Sequence, residues 1–202
     1  MTKVKICGLI DQQMVEEVAK LQPGFIGFVF AKSKREVTPE KVYQMTKNLS
    51  SEIKKVGVFV SPTKEQIQKA VEIAGIDFIQ VHGEFPKFNL PRPSIQAKSV
   101  KGSINYQTTA DFLLLDAPPK KYYGGNGETF AWQEVEVARL PKEKLFIAGG
   151  LTPENVKEAL AYFQPYAVDV SSGVETDGKK NLTKIRQFIH QVKEFDYVST
   201  TK

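Results

Sequence analysis

The chain has 202 residues, 41% hydrophobic and 25% charged, which suits one domain, residues 1–202, with a well-buried core. Its single cysteine, Cys7, excludes an internal disulfide and fits a reducing, cytoplasmic setting. The net charge of +5 comes from lysines spread along the chain rather than from a basic stripe with interleaved aromatics, so an anionic small molecule fits better than nucleic acid.

Near the start, Asp11, Gln12 and Gln13 interrupt any apolar stretch before a secretory pattern develops. The longest apolar run, "GFIGFVFA", is too short to span a membrane. Short apolar runs then recur in order: "VKIC", "FIGFVF", "KVGVFV", "DFIQV", "SIQAKSV", "DFLLLD", "LFIAG" and "AVDVSS". Each has the length and the Val, Ile and Phe content of a strand. Helix-period segments lie between many of them: Val42, Met45 and Leu49 share a face, as do Ile67, Val71 and Ala74, and Val156, Leu160 and Phe163. Thr38-Pro39-Glu40, Ser61-Pro62 and Thr152-Pro153-Glu154 each read as an N-capping hydroxyl before a proline at the first helical position. The Pro-rich stretch from Phe85 to Pro93 predicts a short or missing helix after strand 4 or 5.

Eight strand–helix units of about 25 residues each approach the lower size limit of a (β/α)₈ TIM barrel. The rival is an open doubly wound sheet, but the turn after the first strand, "CGLIDQQ", lacks the glycine pattern such a sheet would show there. The barrel is therefore the expected fold.

Alternation along the strands sorts the polar residues. Lys5 and Cys7 lie opposite Val4 and Ile6, Gln80 and His82 opposite Ile79 and Val81, and Leu114 and Asp116 opposite Leu113 and Leu115. Asp169 and Ser171 lie opposite Val168 and Val170. The apolar sets should face the helices, which turns the polar sets inward, most of them at C-terminal strand ends where barrel enzymes build their sites. Cys7 could still be a small core hydrophobe. An unpaired carboxylate at Asp116 must instead reach a cleft or carry a raised pKa. Gly149-Gly150 before a capped helix, and Ser171-Ser172-Gly173 after the last strand, suit an anion held by backbone N–H groups. "GGNG" at 124–127 reads as the hinge of a lid.

In order along the chain, "KICGL", "GFVF…SKREVTPE", "VGVFV", "IQVHG", "LLLDA…GGNG", "FIAGGLTPENV" and "VDVSSGVE…GKK" resemble the phosphoribosylanthranilate isomerase family. The resemblance implies a cofactor-free, metal-free barrel that carries out an Amadori rearrangement of N-(5-phosphoribosyl)anthranilate in tryptophan biosynthesis. It implies Cys7 as general base, Asp116 as general acid, Arg35 on the anthranilate carboxylate, and the two glycine loops on phosphate. Lys5, Gln80 and His82 are further candidate substrate contacts. Lys5 either depresses the thiol pKa or forms a structural bridge with Asp169. The chain departs from the usual pattern at Lys34, Asn126 and Asn181, none of which removes a catalytic group. A histidine-pathway isomerase would be expected to carry a second aspartate where Cys7 stands. A non-catalytic anion-binding barrel is the other alternative. The particle is expected to be a monomer or homodimer.

Overall fold

Eight parallel strands close on themselves in chain order, which removes the open-sheet alternative. A computed structural model describes residues 1–100, 105–117 and 132–200. The strands are β1 (Lys3–Cys7), β2 (Phe25–Val29), β3 (Lys54–Val60), β4 (Phe78–His82), β5 (Ser94–Ser99), β6 (Phe112–Asp116), β7 (Leu145–Ile147) and β8 (Ala167–Val170). Closure is made by β1 pairing with both β2 and β8, with Lys5 directly opposite Asp169.

Among the described residues, five α-helices cover part of the outside: α1 (Gln12–Ala19), α2 (Pro39–Thr46), α3 (Lys64–Lys69), α4 (Val156–Phe163) and α5 (Leu182–Thr200). Thr38 caps α2 as its sequence suggests, its hydroxyl accepting from the Lys41 N–H, with proline in the first turn. The other two proline signals need correction. Thr63, not Ser61, caps α3, through a capping box with Gln66. Ser61 instead takes a left-handed backbone (φ 44°) and accepts from the Glu84 N–H. Thr152 opens a turn, and α4 begins only at Val156, because the Asn155 side chain folds back to accept from the Thr152 N–H.

The stretch between β4 and β5 forms no helix. Phe85, Phe88 and Leu90 pack directly on the core there. Between β6 and β7 the described residues form only three short 3₁₀ turns. The lid sequence "GGNG" lies outside the described residues.

The outward faces of the strands, including Ile6, Ile79, Leu115 and Val168, form one apolar cluster with the helices. The inward faces form a second. At the N-terminal end of the barrel, Phe25, Phe78, Phe112, Phe146 and Tyr166 interlock with ring centroids 5.3 to 6.3 Å apart. Edge-to-face packing of this kind fills the bore. The polar inward residues lie toward the C-terminal end, above that plug.

Candidate active site

A cleft of about 1080 Å³ opens at the C-terminal end of the strands. Its wall includes Cys7, Arg35, Gln80, His82 and Asp116, together with Gly149-Gly150 and Ser171-Ser172-Gly173. These residues come from six different strand ends and their loops. Only closure of the barrel brings them to one place.

Cys7 ends β1 with its side chain inside the barrel, 8% exposed. Space for it comes from Gly27 on β2, where a Cβ would lie 2.8 Å from Cys7 Sγ and 3.1 Å from Lys5 Nζ. The next residue, Gly8, adopts φ +79°, and a Cβ there would meet Arg35 Cδ at 2.5 Å. The Arg35 stem therefore crosses directly over the end of β1.

Lys5 does not line the cleft. It is wholly buried beneath Cys7, with Nζ 2.8 Å from Asp169 Oδ2. Burial works against its charge, yet Asp169 and Cys7 together hold its pKa above the ordinary lysine value. The Lys5–Asp169 bridge is thus present, and Lys5 also presents its charge to Cys7. That charge does not depress the thiol below its ordinary value. Burial pushes the Cys7 thiol up, Lys5 pulls it down, Asp169 adds to the rise, and burial wins.

Asp116 closes β6 on the inward face. Burial and the nearby Asp169 charge push its carboxyl up to about 6. His82 and Gln80 meet side by side on β4, with Gln80 Nε2 3.0 Å from His82 Nε2. Burial and then the Lys5 charge lower the His82 pKa, so the ring stays neutral near pH 7. Gln80 Oε1 and Asp169 Oδ1 are buried without a hydrogen-bond partner among the described residues. Both residues line the cleft.

The two glycine loops fit tightly against their neighbours. Gly149 has φ +81°, and a Cβ on it would fall 2.1 Å from the Ala117 nitrogen. A Cβ on Gly173 would fall 1.8 Å from the Leu151 carbonyl oxygen. Any larger residue would drive the loop after β8 away from the loop after β7. Among the described residues, no backbone acceptor takes the N–H of Gly150, Ser172 or Gly173.

Sequence reasoning passed over two side chains here. Glu175 accepts both Nε and Nη2 of Arg35, at 2.8 and 2.9 Å. Lys180 donates to Glu175 Oε1 at 3.0 Å and to the Ser171 carbonyl at 2.8 Å. Burial opposes the Glu175 charge, but the Arg35 hydrogen bond and the Lys180 charge outweigh it and hold the carboxyl at about 2. Glu175 and Lys180 belong to a two-stranded hairpin, Glu175–Thr176 with Lys179–Lys180, too short to show any periodicity in the sequence. Among the described residues, no group of three or more His, Cys, Asp or Glu side chains could hold a metal ion, and no helix is long and apolar enough to cross a membrane.

The chain is similar to known proteins over nearly its whole length. A family described as "PRAI: N-(5'phosphoribosyl)anthranilate (PRA) isomerase" matches residues 4–191. The chain is 48% identical over 198 residues to the N-(5'-phosphoribosyl)anthranilate isomerase of Streptococcus mutans, covering 96% of this chain and 100% of that one. It superimposes on the crystal structure of phosphoribosyl anthranilate isomerase from Thermotoga maritima with a TM-score of 0.84 at 34% identity, over 96% of this chain and 100% of that one. A second solved isomerase matches with a TM-score of 0.81 at 32% identity, over 96% and 100% of the two chains. That structure holds reduced 1-(o-carboxyphenylamino)-1-deoxyribulose 5-phosphate.

Proposed function

The chain belongs to the N-(5'-phosphoribosyl)anthranilate isomerase family, and on that basis we propose how its cleft performs the reaction. The substrate is N-(5'-phosphoribosyl)anthranilate and the product is 1-(2-carboxyphenylamino)-1-deoxyribulose 5-phosphate, an Amadori rearrangement in tryptophan biosynthesis. Residues 1–202 act as one barrel domain, with a phosphorylated small molecule rather than a nucleic acid as ligand, in the cytoplasm.

Asp116 is the general acid. It delivers a proton to the ribose ring oxygen, the C1–O bond breaks, and the nitrogen lone pair forms the imine. Cys7 is the general base. It takes the C2 proton, the electrons of that bond form the C1–C2 double bond, and the C1–N π electrons return to the nitrogen, which keeps the hydrogen it already carried and loses its positive charge. Reprotonation at C1 and loss of the C2 hydroxyl proton give the ketone. Atoms and electrons balance within the substrate, and each proton transfer is of the kind that contributes about 10²–10⁴-fold.

The residue types suit these tasks. A carboxyl raised to about 6 still carries a proton near neutral pH in part of the molecules. Lys5 stabilises the thiolate once it forms, because its cationic head is fixed beside the sulfur by Asp169. The phosphate end lies against the N–H groups of Gly150, Ser172 and Gly173. Arg35 faces the anthranilate carboxylate with the N–H groups that Glu175 does not use. Gln80 and His82 offer neutral hydrogen-bonding groups to the ribose hydroxyls.

The observation that carries this reading is the placement of Cys7 and Asp116 at inward-facing ends of β1 and β6, on one cleft with both glycine loops. The test is loss of substrate fluorescence on incubation with the protein. Turnover by the wild-type chain, abolished in Cys7→Ala and Asp116→Asn variants that remain folded, is the expected result. Undiminished turnover in either variant removes that residue from its role.

A further inference from the structure

The cluster around Glu175 is not needed for either proton transfer, yet it gathers Arg35, Lys34 and Lys180 on one carboxylate beside the cleft. Arg35 arrives from the loop after β2, and its stem lies over Gly8. Its guanidinium is gripped at two nitrogens by Glu175, from the hairpin after β8. Lys180 then ties Glu175 to the Ser171 carbonyl, and the Ser171 hydroxyl donates to the Cys7 carbonyl at 3.1 Å. The chain of contacts therefore runs from the arginine to the backbone of the residue that serves as base.

Two physical features make this more than a surface bridge. The pairing is bidentate, so it fixes the plane of the guanidinium as well as its position. It is also shielded, since the Glu175 side chain is only 7% exposed. Glu175 also sits among three cations that repel one another, Arg35, Lys180 and Lys34, whose Nζ lies 3.6 Å away. Burial and then the Arg35 charge work against protonation of Lys180, which Glu175 favours. Without the carboxylate, the arginine would swing toward solvent, and its long side chain would have to be ordered by the substrate alone.

Resting on the reading of Arg35 given above, we propose that Glu175 is a positioning residue: it holds the Arg35 guanidinium over the cleft in register with Cys7, and so sets affinity for the aromatic carboxylate end of the substrate.

The test separates the two ends of the substrate. Anthranilate and inorganic phosphate serve as competitive probes against wild type, Glu175→Gln, Arg35→Met and the double variant, alongside kcat, KM and Tm. Glu175→Gln keeps the volume and removes the charge. It should raise KM and the anthranilate inhibition constant about tenfold. The phosphate constant and kcat should move less than about twofold. The double variant should be no worse than Arg35→Met alone, because one residue acts through the other. If Arg35→Met weakens anthranilate and Glu175→Gln does not, Glu175 does not position Arg35, while the reading of Arg35 stands. If neither variant changes anthranilate binding, both assignments fall. A Glu175→Gln loss in kcat with KM unchanged, or failure to fold, makes the residue a support for the β1 end or for the fold, and overturns the proposal.

Discussion

Lys5 on β1 and Asp169 on β8 are register partners whose side chains meet 2.8 Å apart, inside the barrel and directly beneath Cys7. A buried ion pair adds little stability over an apolar pair, but breaking one side of it leaves a bare charge. Here the pair also closes the barrel seam and sets the field at the cleft floor. The Asp169 charge raises Asp116, and the Lys5 charge opposes the rise of Cys7.

Lys5→Met should therefore destabilise the chain by about 3–5 kcal/mol, because Asp169 would be left buried without its cation. Replacing both, Lys5→Met with Asp169→Leu, should recover most of that stability without recovering turnover. Urea midpoints and kcat measured on the same three proteins check this. A single Lys5→Met variant within 1 kcal/mol of wild type would show that the pair does not act as a unit.

Asp116→Asn should separate stability from activity. The folded-state pKa is raised from 3.8 to about 6, so the folded chain holds the proton more tightly than the unfolded chain. Stability conferred by that proton is present below pH 3.8 and is lost as pH rises through about 6. At neutral pH the carboxylate is then a burden of at most about 3 kcal/mol, at roughly 1.4 kcal/mol per unit. The amide should be at least as stable as wild type at pH 7, show a flatter stability curve between pH 4 and 6, and lose about 10²–10⁴ in kcat. Destabilisation at pH 7 with turnover retained would contradict both halves.

The parts of this site that could be read from the sequence were those fixed by strand alternation. Once Val4 and Ile6 face the helices, Cys7 and Lys5 must face inward, and the same parity places Gln80, His82 and Asp116. The closed barrel also followed, from eight short apolar runs with helix-period segments between many of them. What was not legible depends on contacts between distant segments. Glu175 meets Arg35 across 140 residues, and Gly27 is needed because Cys7 and Lys5 lie against it. A glycine in the middle of a strand is a signal of close approach, but it does not say to what. The caps of α3 and α4 failed for local reasons: Thr63 offers a better-placed side-chain oxygen than the Ser-Pro pair just upstream, and Asn155, which accepts from the Thr152 N–H in a turn ahead of the helix, stands at the start of α4 without a side-chain cap. The direction of the thiol pKa failed because alternation gives facing and not depth, and depth decides between Lys5 and burial.

Gly173→Ala should weaken the phosphate end specifically. The added Cβ would fall 1.8 Å from the Leu151 carbonyl, a backbone atom that cannot swing aside as a side chain would. The two glycine loops must part, at a folding cost of about 1–3 kcal/mol. Inorganic phosphate should lose about tenfold or more as a competitive inhibitor, given how steeply binding depends on sub-ångström placement. Anthranilate as an inhibitor should be little affected. Equal weakening of both probes would place the damage in the whole cleft rather than at one end.

The raised pKa values of Cys7 and Asp116 together dictate an unusual pH profile. Catalysis requires the acid protonated and the base ionised, yet the acid titrates at about 6 and burial holds the thiol above its ordinary value. The active form is thus a minor one at every pH. Below pH 6 the rate should climb with pH as thiolate accumulates while Asp116 stays protonated. Between the two pKa values each unit of pH should gain tenfold in thiolate and lose tenfold in protonated Asp116, so the rate should be flat. Above the thiol pKa it should fall. Alkylation reads the same thiol without the acid. Iodoacetamide should add one carbamidomethyl group, at Cys7, slowly at pH 7 and about tenfold faster per pH unit up to the thiol pKa. Activity should fall in step with the mass shift, and saturating product should slow both, because it covers the sulfur. In Lys5→Met, if it folds, the labelling curve should shift to higher pH, since the cation favouring the thiolate is gone. Rapid labelling at pH 7, with a narrow rate maximum there in place of a plateau, would show a thiol already depressed in the free chain. Full activity after complete alkylation at Cys7 would remove it as the base.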